Sequence, residues 1–417
     1  MLKEPCFQHL FLFVSVDNSS SLLVILGPTA CGKTRLATQL AAQVEGEIIS
    51  ADSRQVYRGM NLGTGKDLDE YVVDGKNIPY HLIDICDAGE AYHVHRFQVD
   101  FQVVFSNIQN RHRTPILCGG TGLYIESVLK QYQFTGIPVD EALRSQLETL
   151  SDEALLTRFN TTSSAYSSLA DTSTRKRLVR AIEIATYLQT HSFETAPAPP
   201  LNYQIFGLDL PVEERRSRIT RRLHQRLQDG MIDEVQTLLQ QGVTPEQLIY
   251  YGLEYKFITE YLTGVLTYDT MVERLNVAIH QFAKRQMTFF RKMERDGLTI
   301  HWLDALAPLP QLIEEIRRSV SWLLTVSQKV ITASLRVITV SQNRNKGFLK
   351  THHLLRFILL VVKVSQNLHG PLEYSQCWKF LKTEAFSLKN NQSERRERLL
   401  CLLWNFYKGS NGLLIKY

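Results

Sequence analysis

Residues 27–34 read Gly-Pro-Thr-Ala-Cys-Gly-Lys-Thr and satisfy every fixed position of the phosphate-loop pattern G-x-x-x-x-G-K-[ST]. Such a loop constrains a fold tightly, because it needs a strand before it and a helix after it. Both are written in the chain. Leu22–Leu26 is an unbroken apolar run of strand length. Leu36, Ala37, Leu40, Ala41 and Val44 then recur at helical spacing. Gly27 and Gly32 let the backbone curl so that its N–H groups, together with the helix N-terminus, face phosphate oxygens. Pro28, Thr29, Ala30 and Cys31 complete the loop. Lys33 is expected to pair with a terminal phosphate, and the Thr34 hydroxyl to ligate Mg²⁺.

The loop alone names no reaction, since kinases, motor ATPases, GTPases and transferases share it. The following residues narrow the choice. A second short strand, 48–50, runs into Asp52-Ser53-Arg54-Gln55. Strand C-terminal ends face the ligand crevice in an open α/β sheet, which puts Asp52 opposite the phosphate loop. The competing reading of Asp52 is a turn or helix-capping residue. A third strand is predicted over 115–121 and a helix over 122–132. Further helices are predicted over 139–150 and 175–190, a proline-rich loop over 195–200 and a strand over 203–209. Two long basic helices follow, 213–228 and 268–292. The expected class is α/β: a P-loop nucleotide-fold core with a parallel sheet over 21–136, preceded by an extension, 1–20. A helical insertion covers 137–200, and a core return strand with basic C-terminal helices covers 201–326. A basic tail occupies 327–417.

In order along the chain stand Gly27-Pro-Thr-Ala-Cys-Gly-Lys-Thr34, Asp52-Ser-Arg-Gln-Val-Tyr-Arg58, Gly63-Thr-Gly-Lys66 and His81-Leu-Ile-Asp84. Gly119-Gly-Thr-Gly-Leu-Tyr124, Arg177-Leu-Val-Arg-Ala-Ile-Glu183 and Ala283-Lys-Arg-Gln-Met-Thr-Phe-Phe-Arg291 follow. As an ordered set these pieces resemble the tRNA dimethylallyltransferases (isopentenyltransferases), over about two thirds of the chain. The resemblance implies transfer of a dimethylallyl group from its diphosphate to the N6 amine of an adenosine next to the anticodon of tRNA. It implies Asp52 as the base that accepts the amine proton, with Thr121 and Arg222 as further catalytic groups. Gly27 to Thr34 and Arg218 would hold the diphosphate, with Mg²⁺ on Thr34. Arg218, Arg222 and Arg226, four apart, share one helix face. Ser53, Arg54 and Gln55, with Asp52, would hold the base extruded from its stack. Arg144, Lys176, Arg177, Arg180, Lys284, Arg285 and Arg291 would track RNA phosphates.

Two departures qualify the match. Tyr251-Gly-Leu-Glu-Tyr255 replaces a Gly-Tyr-Arg-type stretch, and no zinc-finger spacing of cysteine and histidine follows, which favours a bacterial or organelle type. The six cysteines lack C-x-x-C spacing, arguing against a disulfide framework or zinc site and for a reducing compartment. Cys31, at a helix N-terminus, is expected to have a lowered thiol pKa and to be alkylation-prone. The apolar run 10–16 lacks the features of a secretory signal, and the run 354–362 is too short to span a bilayer, so no membrane association is expected. A monomer in the cytoplasm or an organelle is expected. Residues 331–417 hold fourteen Lys/Arg against four Asp/Glu, so the +5 charge of the whole chain belongs to its tail. That tail reads either as a basic RNA-binding extension or as a poorly ordered, vestigial one. Three functional alternatives stand beside the main reading: an adenylate isopentenyltransferase using free AMP, ADP or ATP, a P-loop small-molecule kinase, and an inactive tRNA-binding protein.

Overall fold

A computed structural model describes residues 21–193 and 201–320. The extension 1–20, the proline-rich loop 195–200 and the tail from 321 onward lie outside the described residues, as do the expectations for them. Residues 1–316 form one compact unit. Of a second unit, 317–417, only the first four residues are described, and they are helical.

The core is a six-stranded sheet in the order β5-β2-β6-β1-β7-β8. The strands are β1 (Leu22–Leu26), β2 (Gly46–Ser50), β5 (Tyr80–His81), β6 (Thr114–Gly119), β7 (Tyr203–Asp209) and β8 (Ile300–Asp304). Every pairing is parallel. β3 (Val72–Val73) and β4 (Lys76–Asn77) form a separate antiparallel pair. β1 is wholly buried, flanked in register by β6 (Leu23 opposite Ile116) and β7 (Leu22 opposite Tyr203). An all-apolar central strand suits a parallel sheet covered on both faces.

Helices α1 (Lys33–Val44), α2 (Val94–Asn110) and α3 (Gly122–Leu129) are the crossovers of the first half. α4 (Glu141–Glu148), α5 (Asp152–Thr161) and α6 (Arg175–Thr190) build a small core of their own, centred on Leu147, Leu155 and Ile182. After β7 come α7 (Val212–Gln228), α8 (Met231–Gln240), α9 (Pro245–Tyr250), α10 (Leu253–Leu262) and the long α11 (Tyr268–Arg295). A last helical segment spans 309–320.

Most predicted elements occur, with shifted ends. The helix predicted to reach 132 stops at Leu129, where Gln131 turns left-handed at φ 50°. The helix predicted from 139 starts at Glu141, because the Asp140 side chain accepts the Leu143 N–H at 2.9 Å and caps it. β8 was not anticipated. As an edge strand with His301 and Trp302 half-buried, it shows no clean apolar run.

Two of the sequence pieces quoted above, Gly63 to Lys66 and His81 to Asp84, meet in one buried contact. The Lys66 side chain is fully buried and donates to the Tyr57 carbonyl at 2.8 Å, to Asn61 Oδ1 at 2.9 Å and to Asp84. A buried ammonium is tolerated only when its donors are all met, as here. Lys66→Met should destabilise the protein by about 3 kcal/mol, the low end for breaking a buried pair because Asp84 retains some solvent. Urea denaturation checks this, and a loss below about 1 kcal/mol would show that the contact is not structural.

Candidate active site

The C-terminal ends of β1, β2 and β6 open into a cleft of about 980 Å³. The phosphate loop forms its floor at one end. Ala30 and Gly32 adopt left-handed φ of 62° and 89°, and Gly32 caps α1 with open space where a side chain would stand. Glycine is therefore demanded there by backbone conformation and not by crowding. Thr29, Ala30, Gly32, Lys33 and Thr34 line the cleft, whereas Gly27, Pro28 and Cys31 do not. Cys31 is buried, and burial pushes its thiol above the usual range, outweighing the attraction of Lys33. This corrects the expected low-pKa, reactive thiol. The helix N-terminus supplies positive potential, but removal from water costs the thiolate more.

Opposite the loop, the ends of β2 and β6 are joined. The Asp52 Oδ1 accepts the Arg54 N–H at 2.9 Å, an Asx turn that fixes the carboxylate and leaves its second oxygen uncommitted by that bond. Asp52 thus serves as a turn residue and also lines the cleft. Ser53 N–H donates to Thr121 Oγ1 at 3.1 Å, and the Thr121 hydroxyl donates to Ser53 Oγ at 3.4 Å. The Arg54 guanidinium lies over the Tyr250 ring at 5.4 Å. Gln55 is committed to the protein: it accepts from Ser50 Oγ at 3.0 Å and donates to the Gly65 carbonyl at 2.9 Å.

From α7, Arg218, Arg222 and Arg226 all line the cleft, as their spacing of four predicts, and Arg221 joins them. Arg218 Nε donates to Glu214 at 2.7 Å, while Arg222 and Arg226 both donate to Asp67. Burial pushes the Arg222 pKa down, and its neighbour Arg226 adds to this. Glu70 and Glu254 also line the cleft, each raised above the usual carboxyl range chiefly by burial. Leu123, Ile249, Tyr250, Phe282 and Phe289 supply an apolar lining.

The residues expected to meet RNA are spread more widely. Only Arg285, besides the Asp52 segment, lines the cleft. Lys176, Lys284 and Arg285 are exposed. Arg144 Nε stands 2.9 Å from buried Glu183, and Arg180 donates to Glu183 at 3.3 Å and to the carbonyls of Ile137 and Pro138. Arg177 pairs with Asp171 at 2.8 Å, and Arg291 pairs with Asp209 while stacking over Trp302.

Two residues with a large share in the site were not anticipated. Gln286 is buried in α11; it accepts the Thr29 N–H at 2.9 Å and donates to the Gly120 carbonyl at 3.0 Å. Glu234 accepts three backbone N–H groups, from Asn61, Leu62 and Gly63, at 2.8 to 3.0 Å, and the Tyr255 hydroxyl at 2.7 Å. Gln286 lies inside one of the quoted sequence pieces. Glu234 carries no local signal.

A phosphate loop facing a carboxylate across the mouth of a parallel sheet places the chain among the P-loop proteins. Residues 55–293 match the family model described as IPP transferase, and residues 20–82 one described as isopentenyl transferase. A tRNA dimethylallyltransferase 2 of Bacteroides fragilis is 52% identical over 297 residues, covering 71% of this chain and 97% of that protein. One of Porphyromonas gingivalis is 52% identical over 300 residues, covering 71% and 98%. The tRNA isopentenylpyrophosphate transferase of Bacillus halodurans superposes with a TM-score of 0.54 at 32% identity, covering 72% of this chain and 96% of that one. A eukaryotic dimethylallyltransferase solved acting on tRNA gives 0.58 at 25% identity, covering 72% and 78%. The chain belongs to the IPP transferase family.

Cys31 offers a direct check on the packing of the loop. A neutral thiol whose pKa is raised on folding contributes stability that is intact below the unfolded-chain value and is lost as pH rises through the folded one. N-ethylmaleimide at pH 7.5 should therefore modify Cys31 roughly tenfold or more slowly in the native protein than in urea, with the native rate climbing only at more alkaline pH. Peptide mass spectrometry measures both rates, and rapid native labelling would contradict the buried placement.

Proposed function

We propose that the protein transfers a dimethylallyl group from dimethylallyl diphosphate to the N6 amine of an adenosine beside the anticodon of tRNA. The observation that carries this reading is the single cleft in which the phosphate loop faces Asp52 and Thr121. The allylic C–O bond breaks as the C–N bond forms, and negative charge grows on the departing diphosphate. Lys33, the loop N–H groups, Arg218 and Arg222 meet that charge. The adenine amine is a weak nucleophile, since its lone pair is shared with the ring. Asp52, held by its turn, accepts the amine hydrogen bond and then the proton. The Thr121 hydroxyl, tied to Ser53, is available to the donor's bridging oxygen or to the amine.

The residues present fit a magnesium ion. Among the described residues no cluster of three His, Cys, Asp or Glu could hold a metal by itself. Thr34 lines the cleft beside Lys33, and an ion that keeps waters and takes most ligands from substrate phosphates needs little more from the protein. When bound, Mg²⁺ supplies charge neutralisation at the diphosphate.

Lys176, Lys284 and Arg285 are exposed cations suited to RNA phosphates, and Arg177 joins them by exchanging Asp171 for a phosphate. Arg144, Arg180 and Arg291 hold protein partners and contribute mainly through the field of their net charge. A single-chain enzyme is part of the same reading. Among the described residues no helix is long and apolar enough to cross a membrane.

Incubating the protein with labelled dimethylallyl diphosphate and either tRNA or AMP tests the proposal. Label is expected in tRNA, in a nucleoside heavier by one dimethylallyl group, and not in AMP. Label in AMP alone would establish the adenylate-modifying alternative. Asp52→Ala should lower turnover by about a hundredfold or more, in the range for a positioned general base, with donor and tRNA affinities little changed. Near-normal turnover in that variant would remove Asp52 from the mechanism.

A further inference from the structure

We propose that Asp67 is a positioning residue for the leaving diphosphate: its carboxylate bridges Arg222 and Arg226 and fixes the direction in which both guanidiniums meet the phosphates. The inference rests on the reading of the cleft as a diphosphate-using transfer site.

The bridge is two-sided. Arg222 Nη2 donates to Asp67 Oδ2, and Arg226 Nη2 donates to Asp67 Oδ1 at 2.9 Å. One terminal nitrogen of each arginine is thereby spent. Each guanidinium has five N–H donors, so the remaining edge of both is left for a second anion. Without the carboxylate, two guanidiniums four residues apart on α7, both largely shielded from water, would repel and swing apart. The downward shift of the Arg222 pKa has this origin in part: burial comes first and Arg226 second, with Asp67 opposing both.

The segment that presents Asp67 is built not to move. Lys66, next to it, is fully buried on three acceptors. Glu234 clamps the three preceding amides from Asn61 to Gly63, and Gln55 holds the Gly65 carbonyl. The chain passes so close to the arginines that a side chain at Gly65, which sits at φ +68°, would come within 2.3 Å of Arg226 Nη2 and 2.9 Å of Arg222 Nη2. Asp67 itself adopts a left-handed φ of 45°. Aspartate takes this conformation more readily than most residues, so the turn is accommodated without a glycine.

A negative charge beside a diphosphate opposes ground-state binding. What Asp67 contributes is orientation, which matters most where charge develops as the C–O bond breaks. The signature is accordingly a loss of rate and not of affinity. Removing the charge while keeping the shape, as in Asp67→Asn, should lower single-turnover kcat by roughly tenfold or more, the scale of a lost charge-orienting contact. The donor KM and the inhibition constant of pyrophosphate should stay level or fall. Asp67→Glu should recover part of the rate. In an Arg222→Ala background the same Asp67→Asn change should cost under about twofold, because the residue acts through that arginine. Unchanged kcat, a loss confined to KM with weakened pyrophosphate, or equal losses in both backgrounds would each overturn the assignment. Wild-type transfer to tRNA is measured alongside. If the wild type transfers nothing, the reading of the cleft fails, and calorimetric titration of pyrophosphate into wild type and Asp67→Asn decides Asp67 separately: an affinity level with or tighter than wild type supports the bridge, and a weakened one sinks it.

Discussion

One buried carboxamide ties the site together. Gln286 takes the Thr29 N–H of the phosphate loop and gives its own N–H to the Gly120 carbonyl after β6, joining groups 257 and 166 residues away in the chain. Both are main-chain groups in the tight turns that face the ligand. A buried backbone donor or acceptor without a partner costs about 1–3 kcal/mol, so neither turn can drift from α11 cheaply. The distance from Lys33 to Asp52 and Thr121 is therefore set by the long helix as well as by the sheet. Glu234 plays the corresponding part for the loop leading to Asp67, by accepting three consecutive amides.

The charge on α7 makes sense in the same terms. A helix carrying arginines at 215, 216, 218, 221, 222 and 226 reads in isolation as a solvated basic face. The fold divides it. Arg216 borders a shallow hollow of about 540 Å³ with His224 and His280, Arg221 borders both that hollow and the cleft, and Arg218, Arg222 and Arg226 turn inward. Each inward guanidinium is already on a carboxylate, Glu214 or Asp67. Partly shielding three like charges from water is tolerable because two carboxylates hold them, at the expense of some attraction for an incoming anion.

Much of this was legible in the sequence, and what was not has a physical reason. The phosphate loop, the strand ends carrying Asp52 and Thr121, and the face shared by Arg218 and Arg222 depend on residues within a few turns of each other. Local pattern suffices for such features. The Lys66–Asp84 pair was visible as two sequence pieces but not as one contact. Glu234, Asp67 and Gln286 act on partners more than 150 residues distant, and a glutamate on a helix looks the same whether it meets water or a loop. The expectation for Cys31 failed because it counted the helix N-terminus and omitted burial. Similarly, Arg144 and Arg180 read as free cations until Glu183 was found between them.

The order of strands across the sheet has a consequence for synthesis on the ribosome. The phosphate loop emerges within the first tenth of the chain, yet its neighbour β7 begins at residue 203 and its tether Gln286 comes later still. At about 5–20 residues per second, tens of seconds separate the appearance of the loop from the arrival of the groups that complete it. Until β7 is made β1 lacks at least one of its two neighbours and exposes an apolar edge. The nascent enzyme is thus an unfinished sheet for most of its translation, with an open edge until the later strands arrive.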